Sequence, residues 1–351
     1  MSDNVKFLSA SRMKTLETCS WQYWCKYGLG LPDTTNSGAL RGTICHLILE
    51  LLLKPRHKKH FDAIINSKTI KASKPVDKVV IKYCKKHDIY DDENYPLVDT
   101  MICVGLEHDF FGEDEGGYIE APEKEFEIKN KNPQYNIRGY IDKPIEYKDE
   151  KILKIVDYKT SKAKFKGDDL TSNVQAMMYS LAAKKEWPEM KRRIVQFLFL
   201  KFPRSPLQEL EFTDEQLKGF EQHLEQVNNA INNFTEDDAK NNYAADNGNQ
   251  WLCGPAKSGW ICPFHLPFDY YVLVDKDGKK IKSAHDYKDL EPTGEESIEM
   301  RSYGGCPRKY CAGNTQQVEK DDFDLDQDDF SNLDSNDFSD LDSNDIDNFD
   351  F

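Results

Sequence analysis

Residues 139–160 read "GYIDKPIEYKDEKILKIVDYKT". Two apolar runs flank the polar turn "KDEK" at 148–151, and charges interrupt both: Asp142 the first, Asp157 and Lys159 the second. Burying a charge is costly unless something pairs with it. If 135–147 and 152–160 form a hairpin about that turn, Tyr147 faces Ile152 and the same register sets Asp142 opposite Asp157. Directly opposed Cβ atoms lie about 4.5–5.5 Å apart, and residues two apart share a face. Asp142, Asp157 and Lys159 then project from one surface. Carboxylates this close repel unless a cation lies between them, and oxygen ligands favour Mg²⁺ or Mn²⁺. A lysine beside them suits positioning a metal-bound water or stabilising charge on a phosphate. A lone D-x-K is ordinarily a surface ion pair; the register and the apolar flank "ILKIV" weigh against that reading here.

The surrounding pattern predicts an α/β fold. A helix capped at Ser9 or Ser11 runs through "SASRMKTLETCSWQYWCKYGLGL" to Gly28 and Gly30, and a second spans about Gly38 to Leu53. Lys-rich helical sequence continues to about residue 115. Strand-like segments follow at 124–129, 135–147 and 152–160, then a helix capped near Asp169 or Thr171 through "NVQAMMYSLAAKKE". "RRIVQFLFLKF" and "PLQELEF" read as strands, 214–233 as a helix, and "YYVLVDKDGKKIKS" as a hairpin turning at Asp277-Gly278.

Four segments resemble one nuclease family. "GYIDKP" followed by "IVDYKT" is similar to the active-site signature of PD-(D/E)XK nucleases, in particular the RecB-like branch that includes CRISPR-adaptation exonucleases. "LSASRMKTLETCSWQYWCKYGLGL" resembles the N-terminal helix of that branch, "GALRGTICHLILE" its G-x-x-x-H-x-x-x-E helix, and "QAMMY" its Q-x-x-x-Y motif. The four stand in family order across roughly residues 7–203. The resemblance implies a PD-(D/E)XK restriction-endonuclease-like core, a small mixed sheet flanked by helices. It implies Mg²⁺ or Mn²⁺ held by His46, Asp142, Asp157 and the backbone carbonyl of Tyr158. Lys159 would be the catalytic lysine, and Gln175 and Tyr179, one helical turn apart, would line the site or contact DNA. Taken alone, a histidine on an apolar helix is usually a core residue; His46 stands out only beside the other motifs.

Many RecB-like nucleases carry a 4Fe–4S cluster on one cysteine of the first helix and three near the C-terminus. Cys19 matches the first position, although Ser20 replaces the usual proline, and Cys262 in "CPF" resembles a later ligand. Cys253 is a further candidate, with Cys306 or Cys311 as the fourth. Eight residues separate Cys253 from Cys262 where the family has a tight C-x-x-C. That departure leaves zinc on Cys253, Cys262, Cys306 and Cys311, with His265 as a substitute, or no metal, open beside the cluster. Cys45, Cys84 and Cys103 read as core, and Cys25 as core or a substitute ligand.

The net charge of −15 is unevenly spread: 321–351 hold 13 acidic residues and no lysine or arginine, so the first 320 residues carry only −2. "FSNLDSND" at 330–337 is nearly repeated as "FSDLDSND" at 338–345. Such composition predicts a disordered tail, read as a solubilising segment, a DNA mimic, or a dock for a replication or recombination partner. Neither a secretory h-region nor an apolar run near the roughly 20 residues that span a bilayer is present, which points to the cytoplasm of a bacterial or phage-infected cell. The expected division is a nuclease domain with an N-terminal helical part at 1–234, a Cys-containing region at 235–313 and the tail at 314–351. The expected function is a metal-dependent deoxyribonuclease, an exonuclease on single- or double-stranded DNA ends in recombination, repair or phage replication. Arg56, Lys58, Lys59, Lys162, Lys164 and Lys166 are candidate phosphate contacts. The rival reading is a non-catalytic DNA-binding or scaffold subunit whose tail recruits partners.

Overall fold

The computed structural model describes residues 6–34, 36–112, 116–119, 122–254 and 261–308; Cys311 and the acidic tail lie outside them. In chain order the helices are α1 (Ala10–Thr18), α2 (Ser20–Tyr23), α3 (Ser37–Leu53), α4 (Lys58–Ser67), α5 (Lys74–Lys86), α6 (Asn94–Leu106), α7 (Val174–Glu186), α8 (Asp214–Asn232) and α9 (Glu236–Ala239). The strands are β1 (Lys124–Lys131), β2 (Gln134–Ile141), β3 (Lys143–Tyr147), β4 (Ile152–Lys159), β5 (Arg192–Phe199), β6 (Leu207–Glu211), β7 (Phe268–Val274), β8 (Lys280–Ala284) and β9 (Ser297–Tyr303). They form two compact units, one of residues 6–11 and 36–229, the other of 12–34 and 230–308.

In the first unit a four-stranded mixed sheet has the order β3-β4-β5-β6, with β4 and β5 parallel and the outer pairs antiparallel. A parallel pair needs a crossover, and α7 supplies it. β4 is therefore covered on both faces, and Leu153, Ile155, Val156 and Tyr158 are all buried. β1 and β2 form a separate antiparallel ribbon. Around α3, whose Asn36 side chain caps Ala39 N–H at 2.8 Å, pack α4, α5 and α6 in one apolar cluster with Val156, Tyr158, Leu198 and Leu200.

The β3–β4 register is the expected one, Tyr147 facing Ile152. Three expectations need correction. The strand expected over 135–147 breaks at Asp142, so β2 and β3 belong to different sheets. The first helix breaks at Cys19, whose extended backbone (φ −158°, ψ 105°) starts α2 and lets its sulfur face Gln22 N–H at 3.5 Å. The α7 cap is Asn173, not Asp169 or Thr171; Gly167–Leu170 instead form a short 3₁₀ turn.

In the second unit the sheet order is β8-β7-β9, and Gly278 takes the φ of +75° that the Asp277-Gly278 turn requires. Its core gathers Trp21, Cys25, Tyr243, Phe264, Val272 and Tyr303. Tyr303 Oη accepts from Trp21 Nε1 at 2.8 Å and donates to Phe264 O at 3.1 Å, so the hydroxyl is satisfied where it is buried.

His57 and His60 are buried below α3. Burial, then Arg56, lowers His57 from 6.5 to about 4, and burial with Lys59 lowers His60. Arg56 Nε donates to His57 Nε2 at 3.0 Å, which needs that nitrogen unprotonated. The folded state thus binds these protons more weakly than the unfolded chain. The resulting stability is full above pH 6.5 and drains away as pH falls toward about 4, by up to about 3 kcal/mol for His57. Urea midpoints measured across this range should decline toward acid, and His57→Gln should flatten that slope.

Candidate active site

The break at Asp142 is what builds the site. Asp142 Oδ2 leaves the ladder to accept Tyr158 N–H at 2.8 Å, and the same oxygen lies 3.3 Å from His46 Nδ1. His46 comes from the middle of α3, and its Nε2 lies 3.0 Å from Tyr158 O. Gly42, one turn earlier, permits that approach: a Cβ there would stand 3.0 Å from Thr160 Oγ1, just beyond β4. Thus the glycine of the G-x-x-x-H pattern leaves room where a side chain would press on Thr160.

Glu123 is the residue that sequence reasoning missed. Its Oε1 lies 3.9 Å from His46 Nδ1. Ligand atoms of His46, Glu123 and Asp142 all fall within 4.8 Å of one another, a donor set able to hold a metal ion. The signal was available in the β1–β2 register. Lys124 pairs with Ile141, so one further step brings Glu123 beside Asp142, and Glu123 N–H does donate to Asp142 O at 3.0 Å. Reading that register required seeing Asn132-Pro133 as the turn.

Asp157 stands outside the compact donor group and is held by a second network. Its Oδ2 pairs with Lys159 Nζ at 2.9 Å, while Oδ1 accepts from Gln175 Nε2 at 2.9 Å and Tyr179 Oη at 2.8 Å. Lys159 Nζ also donates to Gln175 Oε1 at 2.6 Å. Gln175 and Tyr179 are one turn apart on α7, so the Q-x-x-x-Y pattern presents both to β4. The structure therefore brings together His46, Asp142, Asp157, Tyr158 O, Lys159, Gln175 and Tyr179, and adds Glu123.

Electrostatics couple the two networks. Burial opposes ionising His46, but Asp142 and Glu123 overcome it and hold the imidazolium well above its usual range. Burial likewise opposes the Asp142 carboxylate, and His46, Tyr158 N–H and Lys159 reverse that and depress it. Asp157 goes the other way: burial raises it, Lys159 only partly offsets this, and the Asp142 charge raises it further. Glu123 is raised by burial and by Asp142. Packed acids with a deficit of positive charge are an environment that a divalent cation relieves.

A sequence model of the PD-(D/E)XK nuclease superfamily matches residues 7–264. The chain belongs to the PD-(D/E)XK nuclease superfamily. Among curated proteins none matches it. Among solved structures, a Eubacterium rectale protein provisionally described as an exonuclease is similar at 10% identity and a TM-score of 0.38, over 68% of this chain and 89% of that one.

This nuclease superfamily member also places Cys19, Cys253, Cys262 and Cys306 around one small hollow, with Trp21, Tyr243 and Phe264. All four cysteines belong to the second unit. Burial, then the neighbouring Cys19 and Cys306, pushes Cys253 up to about 11, and burial pushes Cys262 up as well. Cys25, Cys45, Cys84 and Cys103 are buried as core. Lys164, a candidate phosphate contact, donates to Ser205 O at 2.7 Å.

A metal entering the His46 group must displace the histidine's proton. Mn²⁺ affinity should therefore rise with pH through the raised pKa of His46, with proton release in a calorimetric titration. Glu123→Gln should weaken Mn²⁺ binding at least about tenfold.

Proposed function

We propose that this nuclease is a Mg²⁺- or Mn²⁺-dependent deoxyribonuclease, an exonuclease acting on DNA ends in recombination, repair or phage replication, in the cytoplasm. The observation that carries this reading is the convergence on consecutive β4 residues of two functions. Tyr158 anchors the His46–Glu123–Asp142 donor set through its backbone, while Asp157 and Lys159 on either side hold the second network. His46, Glu123, Asp142 and the Tyr158 carbonyl would hold the metal, and Asp157 borders it. A bound divalent ion would supply an activated water and charge neutralisation for phosphodiester hydrolysis.

The chain's own groups have distinct tasks. Lys159 offers an ammonium to the scissile phosphate or the attacking water, aimed by its contacts to Asp157 and Gln175. Gln175 fixes both partners at once, because its amide donates to Asp157 and accepts from Lys159. Tyr179 secures Asp157 from the buried side. No helix among the described residues is long and apolar enough to cross a membrane.

For the cysteines we favour a 4Fe–4S cluster on Cys19, Cys253, Cys262 and Cys306. Support comes from the meeting of these four cysteines at one hollow, one from the N-terminal segment and three from the C-terminal region, as the resemblance to RecB-like nucleases implies. Raised thiol pKa values mean that the sulfurs need a strong cationic partner to ionise.

With Mg²⁺ or Mn²⁺ the wild type should degrade linear DNA and spare covalently closed circles, and Lys159→Ala should lower the rate by about 10²–10⁴. Wild-type protein that leaves every DNA intact under both metals would refute the enzyme reading, and equal attack on circles would refute exonuclease action. Anaerobically purified protein should be brown and lose its colour in Cys19→Ala; colourless protein containing zinc would overturn the cluster.

A further inference from the structure

The helices beside α3 carry a concentration of positive charge that the cleavage chemistry does not use. Residues 54–87 contain eleven lysines and arginines against two acids, Asp62 and Asp77, a net of +9. The rest of the first 320 residues is then net −11, so this is a local feature and not general basicity. Arg56, Lys58, Lys59, Lys68, Lys71, Lys74, Lys78, Lys82, Lys85 and Lys86 are all exposed.

On α5 the charges are ordered. Lys74, Lys78, Lys82 and Lys86 recur every fourth residue, with Lys85 beside them, while Val76, Val79, Val80, Tyr83 and Cys84 form the buried face. Residues four apart are surface neighbours, and like charges at that spacing destabilise a helix. Lys74 also opens the helix, where the dipole disfavours a cation. Four such lysines in a row are complementary in charge to a linear polyanion laid along the helix. At 1.5 Å per residue the stripe from Lys74 to Lys86 is about 18 Å long, the axial span of about five phosphates of one DNA strand.

Val76 and Val79 of α5 share a small apolar cavity with Ile48, Leu51 and Leu52 of α3, the side of α3 opposite His46, so the lysine face lies across α3 from the cleavage centre. We propose that the lysine face of α5 is a sequence-independent docking track for the DNA backbone, holding the substrate beyond the cleavage centre. This inference rests on the nuclease reading and adds to it a second contact region. The track grips phosphates only, so it supplies affinity and continued hold on long substrates without affecting bond cleavage.

The test replaces Lys74, Lys78, Lys82 and Lys85 together with Gln, beside a control in which the exposed Lys218, Lys276, Lys279 and Lys288 are replaced likewise. Circular dichroism and thermal midpoints establish that both fold. Binding of long duplex DNA is measured against salt with Ca²⁺ in place of a catalytic metal. The slope of log K against log salt should become shallower by about 3.6 in the track variant, near 0.9 for each of four lost phosphate contacts, and stay put in the control. KM on long DNA should rise at least about tenfold, whereas kcat on an oligonucleotide too short to reach α5 should not change. An unchanged slope, or one lost equally in the control, overturns the track while leaving the nuclease intact. Wild-type protein that neither binds nor cuts DNA is the separate result that removes the nuclease reading itself.

Discussion

Everything at the catalytic end of this protein is arranged around two carboxylates buried where a β-hairpin opens. Asp157 is 2% exposed and Asp142 8%, and each would be strongly destabilising if left unpaired. The fold answers with different partners for each. Asp142 takes the Tyr158 N–H and the His46 ring; Asp157 takes Lys159, Gln175 and Tyr179. Because those partners come from α3, β4 and α7, satisfying the two charges fixes the packing of the central helix and the crossover helix on the sheet.

The same constraint explains why the motifs recur as patterns rather than single residues. Gly42, one turn before His46, leaves room where a Cβ would crowd the Thr160 hydroxyl. Gln175 needs Tyr179 one turn away so that Asp157 is held from two directions. Neutralisation remains incomplete, since Asp157 and Glu123 are both pushed toward their protonated forms while His46 is pushed toward its charged one. A network that redistributes protons in this way is adapted to a further positive charge.

Much of this was legible in the sequence because hairpin registers are local. The turn "KDEK" and two apolar runs sufficed to pair Tyr147 with Ile152 and hence to relate Asp142 to Asp157. The break at Asp142 was not legible, since it depends on a side chain capturing a backbone N–H sixteen residues on. Glu123 was hidden for a similar reason: its place depends on the β1–β2 register, whose Asn132-Pro133 turn carries no glycine signal. Among the cysteines, spacing could not choose Cys306. β9, an element the pattern did not mark, returns the chain beside Phe264 and delivers it.

The central claim is that His46, Glu123 and Asp142 hold a divalent ion next to Asp157 and Lys159. Crystals soaked in Mn²⁺ test it most directly, through the anomalous signal of the metal. The account predicts a peak within coordination distance, about 2.0–2.4 Å, of the His46 ring, the Glu123 and Asp142 carboxylates and the Tyr158 carbonyl. A fully soaked crystal with no peak there, or with manganese bound only elsewhere, would contradict it.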